Sequence, residues 1–222
     1  LALATLSAGI VILLPVVITR QQRRAEASKH TGRRETIYLV YFGLVGCGFM
    51  LVEIPLIQRF ILFIGQPAYA LAMVLFCLLV FSGAGSQISP KISLKKALGT
   101  LAFLLALMPV VLPGIFELAL GLSFAARLLV TVALLFPIGL LMGIPFSGGL
   151  LWMRSTPASP AMIPWVWAAN GAASVIASVL AALLAISQGF LFVLLSGALS
   201  YACACIIVMV REHHRPDPLP HP

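Results

Sequence analysis

Apolar runs cover residues 1–19, 37–57, 68–88, 98–116, 128–151, 165–187 and 190–210, with short polar runs between them. As helices rising 1.5 Å per residue, all are long enough to cross a hydrocarbon core of ~30 Å. None shows the polar–apolar alternation, over segments of about ten residues, that barrel strands need. The pattern predicts an all-α, polytopic transmembrane helix bundle of about seven spans. Prolines fall inside several of them: Pro55 in the second, Pro109 and Pro113 in the fourth, Pro137 and Pro145 in the fifth. A proline removes a backbone donor and crowds the preceding turn, so several spans are expected to be proline-broken or kinked. "QRFILFIGQP" reads as a turn or short interfacial helix, "ELALGLSFAAR" as a short connector and "RSTPASPAMIP" as a loop. The last two spans are joined so closely that they form an antiparallel hairpin. Ala169, Ala173, Ala177, Ala181 and Ala185 offer a ladder of small residues along which that pair would pack. Residues 1–210 thus make one transmembrane domain, and the proline-rich 211–222 a disordered tail.

Composition agrees with the pattern: 61% of the 222 residues are hydrophobic and 9% charged, against roughly a quarter charged in soluble domains. A net charge of +8 could suggest nucleic acid, but the basic residues fall between the apolar runs rather than on one face. A seven-span count puts Arg20, Arg23, Arg24, Lys29, Arg33, Arg34, Lys91, Lys95, Lys96, Arg154, Arg211 and Arg215 on one side. The other side receives Arg59 and Arg127, twelve against two. The positive-inside rule makes the rich side cytoplasmic, together with the C-terminus. The chain begins at Leu1, within an apolar segment, which reads as a piece of a longer protein.

Polar residues inside apolar runs are the candidate chemistry. "FMLVEIPLIQRFILF" carries Glu53, Gln58 and Arg59 around Pro55. Counted from Ile37, Glu53 lies about 24 Å into the membrane, where an isolated charge costs ~2.5–3.5 kcal/mol or more. Glu53 is therefore expected to be paired, protonated or hydrated. A bend at Pro55 would let Arg59 turn back to it, and a straight helix would leave Arg127 as its partner. With Tyr69, these residues form either an ion pair that ties helices together, a polar pocket for a ligand or proton path, or a contact with another subunit. A second group near the opposite side comprises Ser86, Gln87, Ser147, Asn170 and Ser174, set among Gly139, Gly143, Gly148 and Gly149. Tight packing with polar residues as glue is the favoured reading, with Asn170 bonding backbone freed by Pro145. A broken helix lining a binding cavity is the alternative. Trp165 and Trp167 fit an interfacial belt.

No catalytic, metal or cofactor set emerges. His30, His213, His214 and His221 lie in loops or tail, which argues against a bis-histidine haem protein and an intramembrane Ser–His protease. P-loop and Rossmann glycine motifs are absent. Cys47, Cys77, Cys203 and Cys205 lie in apolar runs and read as small hydrophobes.

"YFGLVGCGFMLVEIPLIQRFILFIGQPAYALAMVLFCLLVFSGAGSQIS" resembles the opening of the C-terminal membrane half of large bacterial spermidine synthase-like membrane proteins. "FPIGLLMGIPFSGGL" and "IPWVWAANGAASVIASVLAALLAISQGF" are similar to its later helices, in the same order. The resemblance covers about 41–210, and "EIPLIQRF" and "WAANG" are its more specific elements. A bacterial inner membrane is the setting that this resemblance implies. Members join such helices to a cytoplasmic Rossmann-like domain similar to aminopropyltransferases, and any transferase chemistry would belong to that domain. The sequence thus points first to a non-enzymatic membrane module. It would be an accessory subunit, or the membrane half of a spermidine synthase-like protein, with the bilayer, other membrane subunits or a cytoplasmic domain as partners. The alternative is a transporter of a small polar or cationic solute bound between broken helices.

Overall fold

The computed structural model describes residues 29–155 and 160–213. The expected span 1–19, the basic run 20–28 and the tail 214–222 lie outside the described residues. Six helices follow in chain order: α1 (Lys29–Ile64), α2 (Pro67–Ile88), α3 (Leu94–Ala119), α4 (Phe124–Arg154), α5 (Ile163–Gln188) and α6 (Phe190–His213). Each is long and apolar enough to cross a membrane. No strand occurs among the described residues. The protein is a multi-pass helical membrane bundle, and the six described helices are the second to seventh spans expected from the sequence.

Helix ends differ from the sequence reading, and the stop signals explain how. α1 does not end after Pro55. It continues through "QRFILFI" to Ile64, where Gly65 takes φ 79° and Pro67 opens α2. A left-handed glycine followed by a proline is the stronger stop, because the first closes the last turn and the second cannot extend it. At its other end α1 begins at Lys29, inside the expected loop. Polar residues carry a helix out of the membrane without ending it. α6 likewise runs on through Arg211 to His213, so the first three residues of the expected tail are helical.

The prolines do not break the spans. α1 runs through Pro55, α3 through Pro109 and Pro113, and α4 through Pro137 and Pro145. One missing backbone bond is tolerated where neighbouring helices hold the flanking turns. Around Pro55, Val52 and Leu56 are fully buried and Leu51 nearly so.

Successive helices are joined by short links, so they alternate in direction. One end of the bundle carries the N-termini of α1, α3 and α5 with the C-termini of α2, α4 and α6; it is the basic end. α1 is the hub, packed against α2, α4, α5 and α6, while α2 lies along α4 and α3 against α4 and α6. Glycines set the closest approaches. On the α2–α4 seam a Cβ at Gly85 would strike the Leu140 carbonyl oxygen, and one at Gly143 the Ser82 carbonyl oxygen. At Gly189, φ 84° lets the chain reverse within one residue, and its N–H bonds the Ala185 carbonyl at 3.1 Å. α5 and α6 are therefore a hairpin, but the alanine ladder serves a different partner. Ala173 approaches Gly43 and Cys47 of α1, and Ala177 and Ala181 are buried with Leu51 of α1 and Val193 of α6. The ladder packs chiefly on α1 because α5 makes far more extensive contact with α1 than with α6. Phe76, Phe103, Val110, Leu118, Leu129 and Ile186 are among the large apolar side chains left outside, where they suit contact with lipid.

Candidate functional site

At the end away from the basic rim, Arg127 occupies the first turn of α4, behind the Ser123 N-cap. Its Nη1 donates to the Phe63 carbonyl at 3.2 Å, one of the last carbonyls of α1. The carbonyl end of a helix carries partial negative charge, so a cation there both satisfies an orphan acceptor and opposes the dipole. Phe63 and Phe116 stack over this junction with centroids 4.3 Å apart. Thr131, fully buried, returns its hydroxyl to the Arg127 carbonyl at 2.9 Å.

Arg127 is thus a helix clamp, and Glu53 does not meet it. With α1 continuous, Glu53 and Arg59 lie 600° apart around the axis and point to different faces. Arg59 is exposed, as are Gln58 and Tyr69; Tyr69 packs edge-on to Phe124. Glu53 is half-buried, and among the described residues no side chain donates to it and no cation pairs with it. The expected ion pair is absent among the described residues: α1 stays helical through Pro55, and Arg127 Nη1 donates to the end of α1 instead. Glu53, Gln58, Arg59, Tyr69 and Arg127 are therefore not drawn into one pocket.

The second group divides in the same way. Ser86 and Gln87 are exposed at the end of α2. Ser147 returns its hydroxyl to the Gly143 and Ile144 carbonyls of its own helix, at 3.1 and 3.3 Å. Only Asn170 and Ser174 act together. Asn170 Nδ2 donates to the Phe42 carbonyl of α1 at 3.0 Å, and Ser174 Oγ donates to the Asn170 carbonyl at 2.9 Å. Both stand where Gly46 leaves no room for a side chain: a Cβ there would strike the Asn170 carbonyl and lie 2.8 Å from Ser174 Oγ. Asn170 thus bonds α1, not backbone freed by Pro145. The Pro145 carbonyl itself is taken by Tyr41, whose hydroxyl donates to it at 2.8 Å.

Tyr41 and Tyr201, which the sequence reading passed over, and Cys47 and Cys205, which it read as small hydrophobes, are polar groups of the interior. Cys47 Sγ donates to Ala173 O at 3.6 Å and Cys205 Sγ to Lys95 O at 3.4 Å. Tyr201 is fully buried, its ring over Gly48, and its hydroxyl has no partner among the described residues. A tyrosine within an apolar run was a usable signal, since its hydroxyl needs a bond once buried.

No family model matches this chain, and no curated protein or solved structure matches it either.

Five side chains bond between helices in one manner: Tyr41 to Pro145, Asn170 to Phe42, Arg127 to Phe63, Cys47 to Ala173 and Cys205 to Lys95. Each donates to a main-chain carbonyl of another helix: Phe63 offers an orphan carbonyl of the last turn, and the other four use the second lone pair that helical bonding leaves open. Four of the five involve α1. Chemically, this arrangement fixes helices to one another.

Proposed function

We propose that this chain is a non-enzymatic integral membrane module, either an accessory subunit of a membrane complex or the membrane half of a spermidine synthase-like protein. The observation that carries the reading is the set of five side-chain donors aimed at neighbouring helix carbonyls. Those donors tie neighbouring helices to one another through bonds already made within the bundle. The resemblance of 41–210 to spermidine synthase-like membrane halves supports the second form. The excess of cations at one end supports a cytoplasmic basic end and C-terminus, and a bacterial inner membrane rests on the resemblance alone. Purification from membranes in mild detergent, followed by light scattering and mass spectrometry of the peak, is the test. A stoichiometric polypeptide partner, or a soluble domain on the same polypeptide, is the expected result. A chain that runs alone rejects the module reading. In a cysteine-free background, Ser93→Cys should be labelled only from the cytoplasm and Ser123→Cys only from outside; the reverse pattern overturns the orientation.

Glu53 favours one second reading, a carrier of a small cationic solute, because it is a half-buried carboxyl within a span without a protein partner among the described residues. Cation uptake into proteoliposomes that Glu53→Gln abolishes would select that reading. A Glu53→Gln protein that keeps the partner of the wild type favours the module.

A further inference from the structure

The link between α2 and α3 gathers three cations on one short, firmly held stretch of backbone. Lys91, Lys95 and Lys96 fall within six residues and all three are exposed. Their backbone is nevertheless pinned. Ser89, just before them, is 3% exposed, and Ile92 N–H closes a turn on the Ser89 carbonyl at 3.2 Å. Leu94 and Ser89 fill the space beside Gly148 of α4, Cys205 of α6 donates to the Lys95 carbonyl, and Ala97 and Leu98 are buried. The lysines therefore project from a fixed platform, on stems that can follow an apolar surface while the ammonium groups reach out.

The surroundings indicate the level at which they project. Arg154 and Arg211 end the last turns of α4 and α6, the helices that pin the platform. Trp152, Trp165 and Trp167, all the tryptophans of the protein, lie at the same end. Tryptophan favours headgroup level. Among the described side chains this end carries Lys91, Lys95, Lys96, Arg154 and Arg211 against a single acid, Glu35.

We propose that Lys91, Lys95 and Lys96 form a docking site for the phosphate headgroup of an anionic phospholipid. The charge is of the right sign, is held at the depth where headgroups lie, and adjoins exposed apolar helix surface for the acyl chains. The site requires only that the helices cross a bilayer, so it stands whether or not the chain is a module. Near a membrane surface each lysine contributes about 1 kcal/mol toward anionic lipid. Removing three then weakens binding roughly a hundredfold at 1.4 kcal/mol per tenfold.

The test is lipid titration of the purified chain in neutral detergent, read by native mass spectrometry and by thermal unfolding. Phosphatidylglycerol is compared with phosphatidylcholine and with inorganic phosphate. Phosphatidylglycerol should bind and raise Tm where the other two do not. The Lys91→Gln, Lys95→Gln, Lys96→Gln triple variant should bind it about a hundredfold more weakly, while Arg59→Gln at the far end leaves it unchanged. Should the triple variant not fold, Lys91→Gln and Lys96→Gln singly should each lose about fivefold. Equal binding of phosphatidylcholine, an equal shift with inorganic phosphate alone, or undiminished phosphatidylglycerol affinity in the variants would overturn the site.

Discussion

Gly143→Ala tests the idea that glycine contacts set the spacing of α2 and α4. A Cβ at 143 would lie 2.6 Å from Ser82 C and 2.7 Å from Ser82 Cα, and closer still to the Ser82 carbonyl oxygen. Carbon atoms prefer about 3.5–4.0 Å, so the seam must open by about 1 Å, and a gap of that size forfeits up to about half of the contact well of the atoms it separates. The obstacle is main chain, which cannot rotate aside as a side chain can. Overpacking of this kind costs about 1–3 kcal/mol, and the upper part of that range applies here. Alanine returns about 0.5–1 kcal/mol through better helix propensity, leaving a net loss of about 1–2 kcal/mol. Gly171→Ala is the control, since Gly171 is exposed with nothing within 4 Å of its Cβ position; it should be neutral or slightly stabilising. Thermal unfolding in detergent, with a denaturing-detergent titration alongside, measures both. A Gly143→Ala protein as stable as the wild type would refute the reasoning, as would equal losses at 143 and 171.

Ala177→Leu should destabilise by about 1–3 kcal/mol, and a cross-link between Cys47 and a cysteine at Ala173 should weaken with it, because the crowded neighbour is α1. An unchanged cross-link yield would contradict that seam. Tyr41→Phe should cost about 0.5–1.5 kcal/mol, the ordinary worth of its bond to Pro145, visible as a lowered unfolding midpoint. Arg127→Gln should speed hydrogen exchange at the end of α1 around Phe63 more than at the middle of α1, and uniform exchange would dismiss the clamp.

The spans were legible because a stretch of apolar residues long enough to cross a bilayer has few other uses. Their partners were less so, because lipid makes the outer face of a helix as apolar as the inner one and the usual stripe disappears. Small residues carried what remained of that signal. Gly139 and Gly143 did mark a close seam, against Phe81 and Ser82 of α2. The alanine ladder also marked a seam, but not its partner, since adjacency in sequence favoured α6 and packing favoured α1. Glu53 could be singled out as polar in an apolar run, but its relation to Arg59 turned on whether Pro55 bends α1. That depends on the packing around Val52 and Leu56, which local sequence does not reveal. Tyr41 could have been singled out as a hydroxyl in an apolar run, and Cys47 was read only as a small hydrophobe; the carbonyls they bond belong to every helix and leave no mark in the sequence.

The helix with the most neighbours is also the earliest described helix to leave the ribosome. The bond from Asn170 to Phe42 joins residues 128 apart, and that from Cys47 to Ala173 residues 126 apart. Until α5 emerges, the face of α1 around Gly43 and Gly46 has no Asn170 or alanine ladder against it, and it is open to lipid or to another polypeptide segment. Biogenesis therefore passes through a membrane-inserted intermediate in which α1 is threaded but unfilled on that side. Polypeptides truncated after α4 should persist as such species, open to insertion chaperones and quality-control proteases in a way that the completed bundle is not.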